Sequence, residues 1–181
     1  MARKIRLKFN GFISLLAYSS ILLFTPVISF ASVSLSQSDT LISKVESIKG
    51  ITDVKSLESR HFNQKYTLFI EQPLDHDNPS AGTFRQRVFV MNVSQDRPTV
   101  MVTEGYGAGY VVNPAYREEL SRLLNANIIF VEHRFFLASV PEDKNWRYLT
   151  AKNSAYDLHN VRKVKQLLDS FNLLYVVYTM G

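Results

Sequence analysis

The chain of 181 residues contains no cysteine. This excludes disulfide scaffolds, thiol nucleophiles, iron–sulfur clusters and cysteine-ligated zinc, and leaves only oxygen or nitrogen nucleophiles for any covalent chemistry. Acidic residues are missing from the whole stretch before Ala31, where Arg3, Lys4, Arg6 and Lys8 stand alone. Those four cations account for all but one unit of the formal net charge of +5. The basic bias therefore belongs to the terminus and not to a folded face, so nucleic acid is not expected as a partner. The histidines, His61, His76, His133 and His159, show no H-E-x-x-H or other paired spacing. No metal site is expected from them, and LDHDN around His76 reads as a solvated turn. Internal repeats are also lacking, and the only compositional bias is a Ser-rich stretch after Ala31. What is present is apolar material, 46% hydrophobic and 12% aromatic, enough for a packed core and too much for intrinsic disorder.

The amino terminus has the order of a secretory signal, with MARKIRLKFNG as the charged part and Phe12 to Phe24 as the apolar part. Pro26 breaks the helix, and Ser29-Phe30-Ala31 places small residues three apart, so cleavage is expected after Ala31. The alternative is an uncleaved anchor, because the apolar stretch runs on to Val33 and approaches the roughly 20 residues that span a bilayer. After cleavage no stable membrane span is expected, and the product is exported to the periplasm or the medium. The expected organisation is a signal over 1–31, a polar lead-in over 32–60 and one partial α/β domain over 61–181.

Tyr66, Leu68 and Ile70 alternate with Thr67, Phe69 and Glu71, which predicts a half-buried strand, and Thr83 to Met91 predicts a second. The turn formers of PLDHDNPSAG lie between them, so the two are read as an antiparallel pair. Pro98 to Thr103 is apolar without alternation, as suits a strand covered on both faces, and it runs into Glu104-Gly105-Tyr106-Gly107-Ala108-Gly109-Tyr110. Asn113-Pro114 predicts the start of a helix carrying Tyr116, Leu120, Leu123 and Leu124 on one face and ending at Asn125. Asn127 to Val131 is another buried-type strand, delivering Glu132-His133-Arg134 to its carboxyl end. A last helix is predicted from Asn153 to Phe171, with Ala155, Leu158, Val161, Leu168 and Phe171 inward and Ser154 with Asp157 as a capping box. Leu174 to Tyr178 then begins a further strand. The plan is α/β, an antiparallel strand pair leading into a parallel sheet, with sites expected at the carboxyl ends of its strands.

Two chemistries compete for the glycine loop. A dinucleotide fingerprint needs G-x-G-x-x-G where Gly105, Gly107 and Gly109 give G-x-G-x-G, and Tyr110 to Asn113 separate the loop from the helix, so no cofactor is expected. Acyl transfer fits the order of elements better. Hydrolases of the α/β type stabilise a tetrahedral oxyanion with backbone N–H groups of a glycine-rich loop after an early strand, together with the residue after the nucleophile. No G-x-S-x-G nucleophile elbow is present, although Gly181 stands where one would begin.

TEGYGAGY, IIFVEHRFFLASVPEDKNWRYLT, NSAYDLH and FIEQPLDHDNPSAGTFRQRVFV together resemble the amino-terminal part of serine peptidase family thirty-seven, secreted bacterial enzymes of the prolyl tri/tetrapeptidyl aminopeptidase type, related to the prolyl carboxypeptidase group. The likeness runs from about Tyr66 to Leu168. It implies an α/β-hydrolase fold and a serine peptidase that releases short peptides from free amino termini through a Ser, Asp, His triad. By position the resemblance assigns Gly105, Tyr106 and Gly107 to the oxyanion loop. It places Glu132 and Arg134 at the substrate end of the pocket, with a structural ion pair as the alternative for either; Glu104 either meets a substrate ammonium or braces the loop. The triad is expected beyond Gly181, so this polypeptide alone is expected to be inactive, a fragment cut at the strand or altered by a frameshift. The competing expectation is an exported, non-enzymatic module that binds a peptide or anion in the glycine loop.

Overall fold

The computed structural model describes residues 37–103, 106–167 and 173–174. The signal-like segment, Glu104, Gly105, the end of the last predicted helix and most of the final strand lie outside these residues. The elements are α1 (Gln37–Glu46), β1 (Ile51–Ser56), β2 (Gln64–Pro73), β3 (Thr83–Asn92), β4 (Thr99–Thr103), α2 (Glu119–Leu124), β5 (Asn127–Val131), α3 (Ala151–Leu167) and β6 (Leu173–Leu174). The strands form one sheet in the order β1-β2-β3-β5-β4-β6. β2 and β3 pair antiparallel over their full length, from Gln64 opposite Asn92 to Pro73 opposite Thr83. β5 then lies antiparallel to β3 and parallel to β4, and β6 is parallel to β4.

The expected antiparallel entry and parallel continuation are both present, but the sheet begins earlier than the sequence pattern indicates. The stretch read as a polar lead-in contains α1 and β1, and β1 pairs antiparallel with β2 at the sheet edge. Its strand character is masked by a bulge between Thr52 and Lys55, where Asp53 takes a left-handed φ of 51°. A bulge adds a residue and breaks the period-two alternation by which a strand is recognised.

All five residues of β4 and all five of β5 are buried, as apolar runs without alternation require. Their side chains divide between the faces. Met101, Ile129 and Val131 join Val45 of α1, Leu68, Val88 and Val161 of α3 on one side. Val100, Val102, Ile128 and Phe130 join Phe89, Met91 and Val111 on the other, with Tyr116 and Leu120 packed against them.

The two connecting helices differ from their predicted forms. Asn113 does not start a helix; its side-chain oxygen accepts the Ala115 N–H at 2.8 Å in an Asx turn, and α2 begins only at Glu119. Leu123 and Leu124 consequently stay exposed, while Asn125 ends the helix in the left-handed conformation, as expected. For α3, Thr150 caps the first turn by accepting the Asn153 N–H at 3.1 Å. Ser154 donates its hydroxyl to the Thr150 carbonyl instead of forming a box with Asp157, and Ala155 is exposed. The buried face carries Asn153, Asp157 and Val161, so its first half is polar.

Candidate active site

The parallel pair β4 and β5 ends in two adjacent loops, and the chemistry-bearing residues collect there. Glu104 and Gly105 lie outside the described residues. Tyr106 is 60% exposed, and its ring meets Phe136 edge to face at 5.9 Å. Gly107 packs directly under Leu137. A Cβ at position 107 would stand 2.5 Å from Leu137 Cδ1 and 2.6 Å from Cγ, so any residue other than glycine there would force the Leu137 side chain to move. Phe135 and Leu137 both hold left-handed backbone, φ 67° and 39°, which is costly for residues with large side chains.

Glu132, at the end of β5, is fully buried and its carboxylate is saturated. One oxygen accepts the Ala108 N–H at 2.9 Å and an N–H of Arg87. The other accepts the Ala138 N–H at 3.1 Å and the Ser139 hydroxyl at 3.0 Å. Four donors fill the four acceptor positions of an ionised carboxylate. The glycine loop and the turn around Leu137 are therefore held by one side chain. Among the described residues the Tyr106 and Gly107 N–H groups donate to no protein acceptor, in contrast to the committed Ala108 N–H next to them.

Arg134 is equally saturated and points to a different part of the fold. Nε and one Nη2 hydrogen take the two oxygens of Asp157 at 2.7 Å each. The remaining three N–H groups reach the carbonyls of Leu74, Tyr148 and Pro73 at 2.9, 2.8 and 3.1 Å. All five donors of the guanidinium are used within the protein. Each of the two residues thus forms an ion pair, Glu132 with Arg87 and Arg134 with Asp157, not with each other. His133 Nδ1 lies 2.9 Å from the Arg134 carbonyl oxygen, and its ring meets Phe136 at 5.8 Å.

Several participants were not legible beforehand. Arg87 sits in a run of β3 whose signal is its apolar content, Ser139 in a loop of unremarkable composition, and Asp157 in a helix where it read as a cap. His76, read as part of a solvated turn, is instead largely buried: Nε2 lies 2.8 Å from Asp157 Oδ1, and the ring stacks on Tyr156. No sequence spacing announces such a contact, because 81 residues separate the partners.

A family model described as PS-10 peptidase S37 matches residues 37–180, which covers every element named above. The chain belongs to this peptidase family. It is 40% identical over 90 residues to the prolyl tri/tetrapeptidyl aminopeptidase of Streptomyces mobaraensis, a stretch covering 50% of this chain and 18% of that protein. It is 31% identical over 116 residues to the probable serine protease EDA2 of Arabidopsis thaliana, covering 60% and 24% respectively. The matched stretches span less than a quarter of either relative. Among the described residues no helix is long and apolar enough to cross a membrane.

Proposed function

We propose that these residues supply the oxyanion loop of an exported serine aminopeptidase built on an α/β-hydrolase sheet, with nucleophile, acid and base encoded beyond Gly181. The observation that carries this reading is the contrast within the glycine loop. The Ala108 N–H is fixed on buried Glu132 at 2.9 Å, whereas the Tyr106 and Gly107 N–H groups beside it have no acceptor among the described residues. Fixed backbone donors at the carboxyl end of a strand are what a developing oxyanion requires, because they need no reorganisation during the reaction.

The sheet order supports the same reading. β6 runs parallel to β4, with Leu173 opposite Thr99 and Leu174 opposite Val100, so both strands point toward one end of the sheet. A nucleophile turn following β6 would be laid beside the glycine loop. In the proposed reaction the serine oxygen adds to the carbonyl carbon of the scissile bond while the base takes its proton. The carbonyl oxygen becomes the oxyanion held by the loop amides. Collapse expels the leaving amine, which receives that proton, and water then hydrolyses the acyl-enzyme by the same route in reverse. Release of short peptides from free amino termini is the substrate class proposed, in keeping with the name of the Streptomyces relative. Export is proposed from the charged and apolar order of residues 1–31.

The 181 residues contain no G-x-S-x-G sequence, so the polypeptide by itself is expected to be inactive. The test is to read the coding DNA for several hundred bases past Gly181 in all forward frames. An elbow of that type followed by Asp and His supports the proposal. Its absence contradicts it and leaves a non-enzymatic binding module.

A further inference from the structure

Glu132 joins two loops that are remote in sequence and adjacent in space. Its carboxylate takes the Ala108 N–H of the glycine loop on one oxygen, and the Ala138 N–H with the Ser139 hydroxyl on the other. Ser139 Oγ is shared further, accepting the Arg87 N–H at 2.9 Å, while the Arg87 side chain returns to Glu132. β3, β5 and both loops thus close on one buried anion. Above it, the side chain of Leu137 rests on Gly107 and reaches Gly109, where an added Cβ would stand 3.4 Å from Cδ1. Leu137 holds this position from a left-handed backbone, φ 39°, which the Phe135 N–H to Ser139 carbonyl bond of 2.9 Å helps to fix.

From this geometry we infer that Glu132 is a positioning residue and Leu137 a steric key, which together lock the glycine loop in a conformation where the Tyr106 and Gly107 amides, without an acceptor among the described residues, can meet a ligand oxygen. The carboxylate acts through the Ala108 N–H: by holding that amide inward it fixes the orientation of the peptide groups before it. The catalytic consequence rests on the peptidase reading; the lock itself does not. Glu132 touches no substrate in this account, and its four acceptor positions are filled without one.

The lock is tested by residue-resolved amide hydrogen exchange on the 181-residue chain. In Glu132→Leu a side chain of similar volume offers no acceptor oxygen to either amide, so exchange at Ala108 and Ala138 should rise together by roughly tenfold. Gly107→Ala should raise exchange at the same two amides, and Leu137→Ala, which deletes the atoms a new Cβ would strike, should restore them in the double variant. Val161→Ala, on the opposite sheet face, serves as a control for general destabilisation and should leave the ratio of these two amides to the core unchanged. Exchange that rises at one amide without the other, or a double variant no better than Gly107→Ala, would overturn the lock.

In the polypeptide extended through the nucleophile-bearing part, Glu132→Leu should lower kcat about a hundredfold with KM little changed, because a misplaced loop loses oxyanion contact and not ground-state binding. With active sites counted by phosphonate titration, an unchanged kcat per active site would mean that Glu132 serves only the fold. Absence of all peptidase activity, with the coupled exchange pattern intact, would refute the peptidase reading and leave the lock standing.

Discussion

Arg134 and Asp157 meet through two charge-assisted hydrogen bonds of 2.7 Å, Nε to Oδ2 and Nη2 to Oδ1, with both side chains buried. This fork joins the loop after β5 to the first half of α3, and His76 adds a third contact to the same carboxylate. Through the carbonyls of Pro73, Leu74 and Tyr148, the guanidinium also fixes the end of β2 and the turn before α3. The pair holds the framework from which the glycine loop is presented.

Removing one partner of such a pair leaves a buried charge uncompensated. Arg134→Met is expected to cost about 3–5 kcal/mol in urea denaturation, the range for breaking a buried ion pair. Arg134→Lys should recover little of this, since an ammonium cannot bond both carboxylate oxygens and three carbonyls from one plane. A loss under about 1 kcal/mol, the range of exposed pairs, would contradict this reading.

The Thr150 cap predicts a smaller effect. Thr150→Ala deletes the oxygen that accepts the Asn153 N–H at 3.1 Å and should destabilise by about 1 kcal/mol, whereas Thr150→Ser should be close to neutral. Chemical denaturation of the two variants side by side checks it.

Asn125 closes α2 with φ 48° and ψ 50°. Asn125→Gly should leave stability within a few tenths of a kcal/mol, and Asn125→Val should cost about 1–2 kcal/mol, because a β-branched residue is strained in the left-handed region. Equal stability of the two variants would show that the helix end relaxes out of this conformation.

Lys65 is a buried lysine whose ammonium donates to the Asn113 carbonyl at 2.8 Å. Burial pushes its pKa below the usual 10.5. The unfolded chain therefore binds more protons than the folded one between the lowered value and 10.5, and stability should rise with pH across that window. The penalty for the buried charge is fully present below the window. Denaturation midpoints measured from neutral to alkaline pH should show this upward contribution in the native protein and lose it in Lys65→Met. A slope unchanged by the substitution would rule Lys65 out as its source.

The parts of the fold set by local pattern were legible in the sequence. The unbroken apolar runs of β4 and β5 predicted strands buried on both faces, and the alternation in β2 with the turn residues after it predicted an antiparallel pair. β1 was hidden because the bulge at Asp53 shifts its alternation, and Asn113-Pro114 misled because an asparagine followed by proline suits an Asx turn as well as a helix start. Of the site, the glycine loop and Glu132 drew notice by position and residue type. Their link did not, since a carboxylate that bonds Ala108, Ala138, Ser139 and Arg87 satisfies backbone and side-chain donors from three separate segments. Nor does composition reveal that Leu137 sits on Gly107, a contact made by the tertiary meeting of two loops.

The central claim, that this chain presents an oxyanion loop to a serine lying beyond Gly181, is tested most directly by a serine-directed phosphonate and peptide mass mapping. Both the 181-residue polypeptide and one extended through the downstream coding sequence would be treated. The account predicts no adduct on the shorter chain and stoichiometric modification of a single serine after Gly181 in the longer one. A stoichiometric adduct on any serine within the 181 residues, or none on the extended chain, would contradict it.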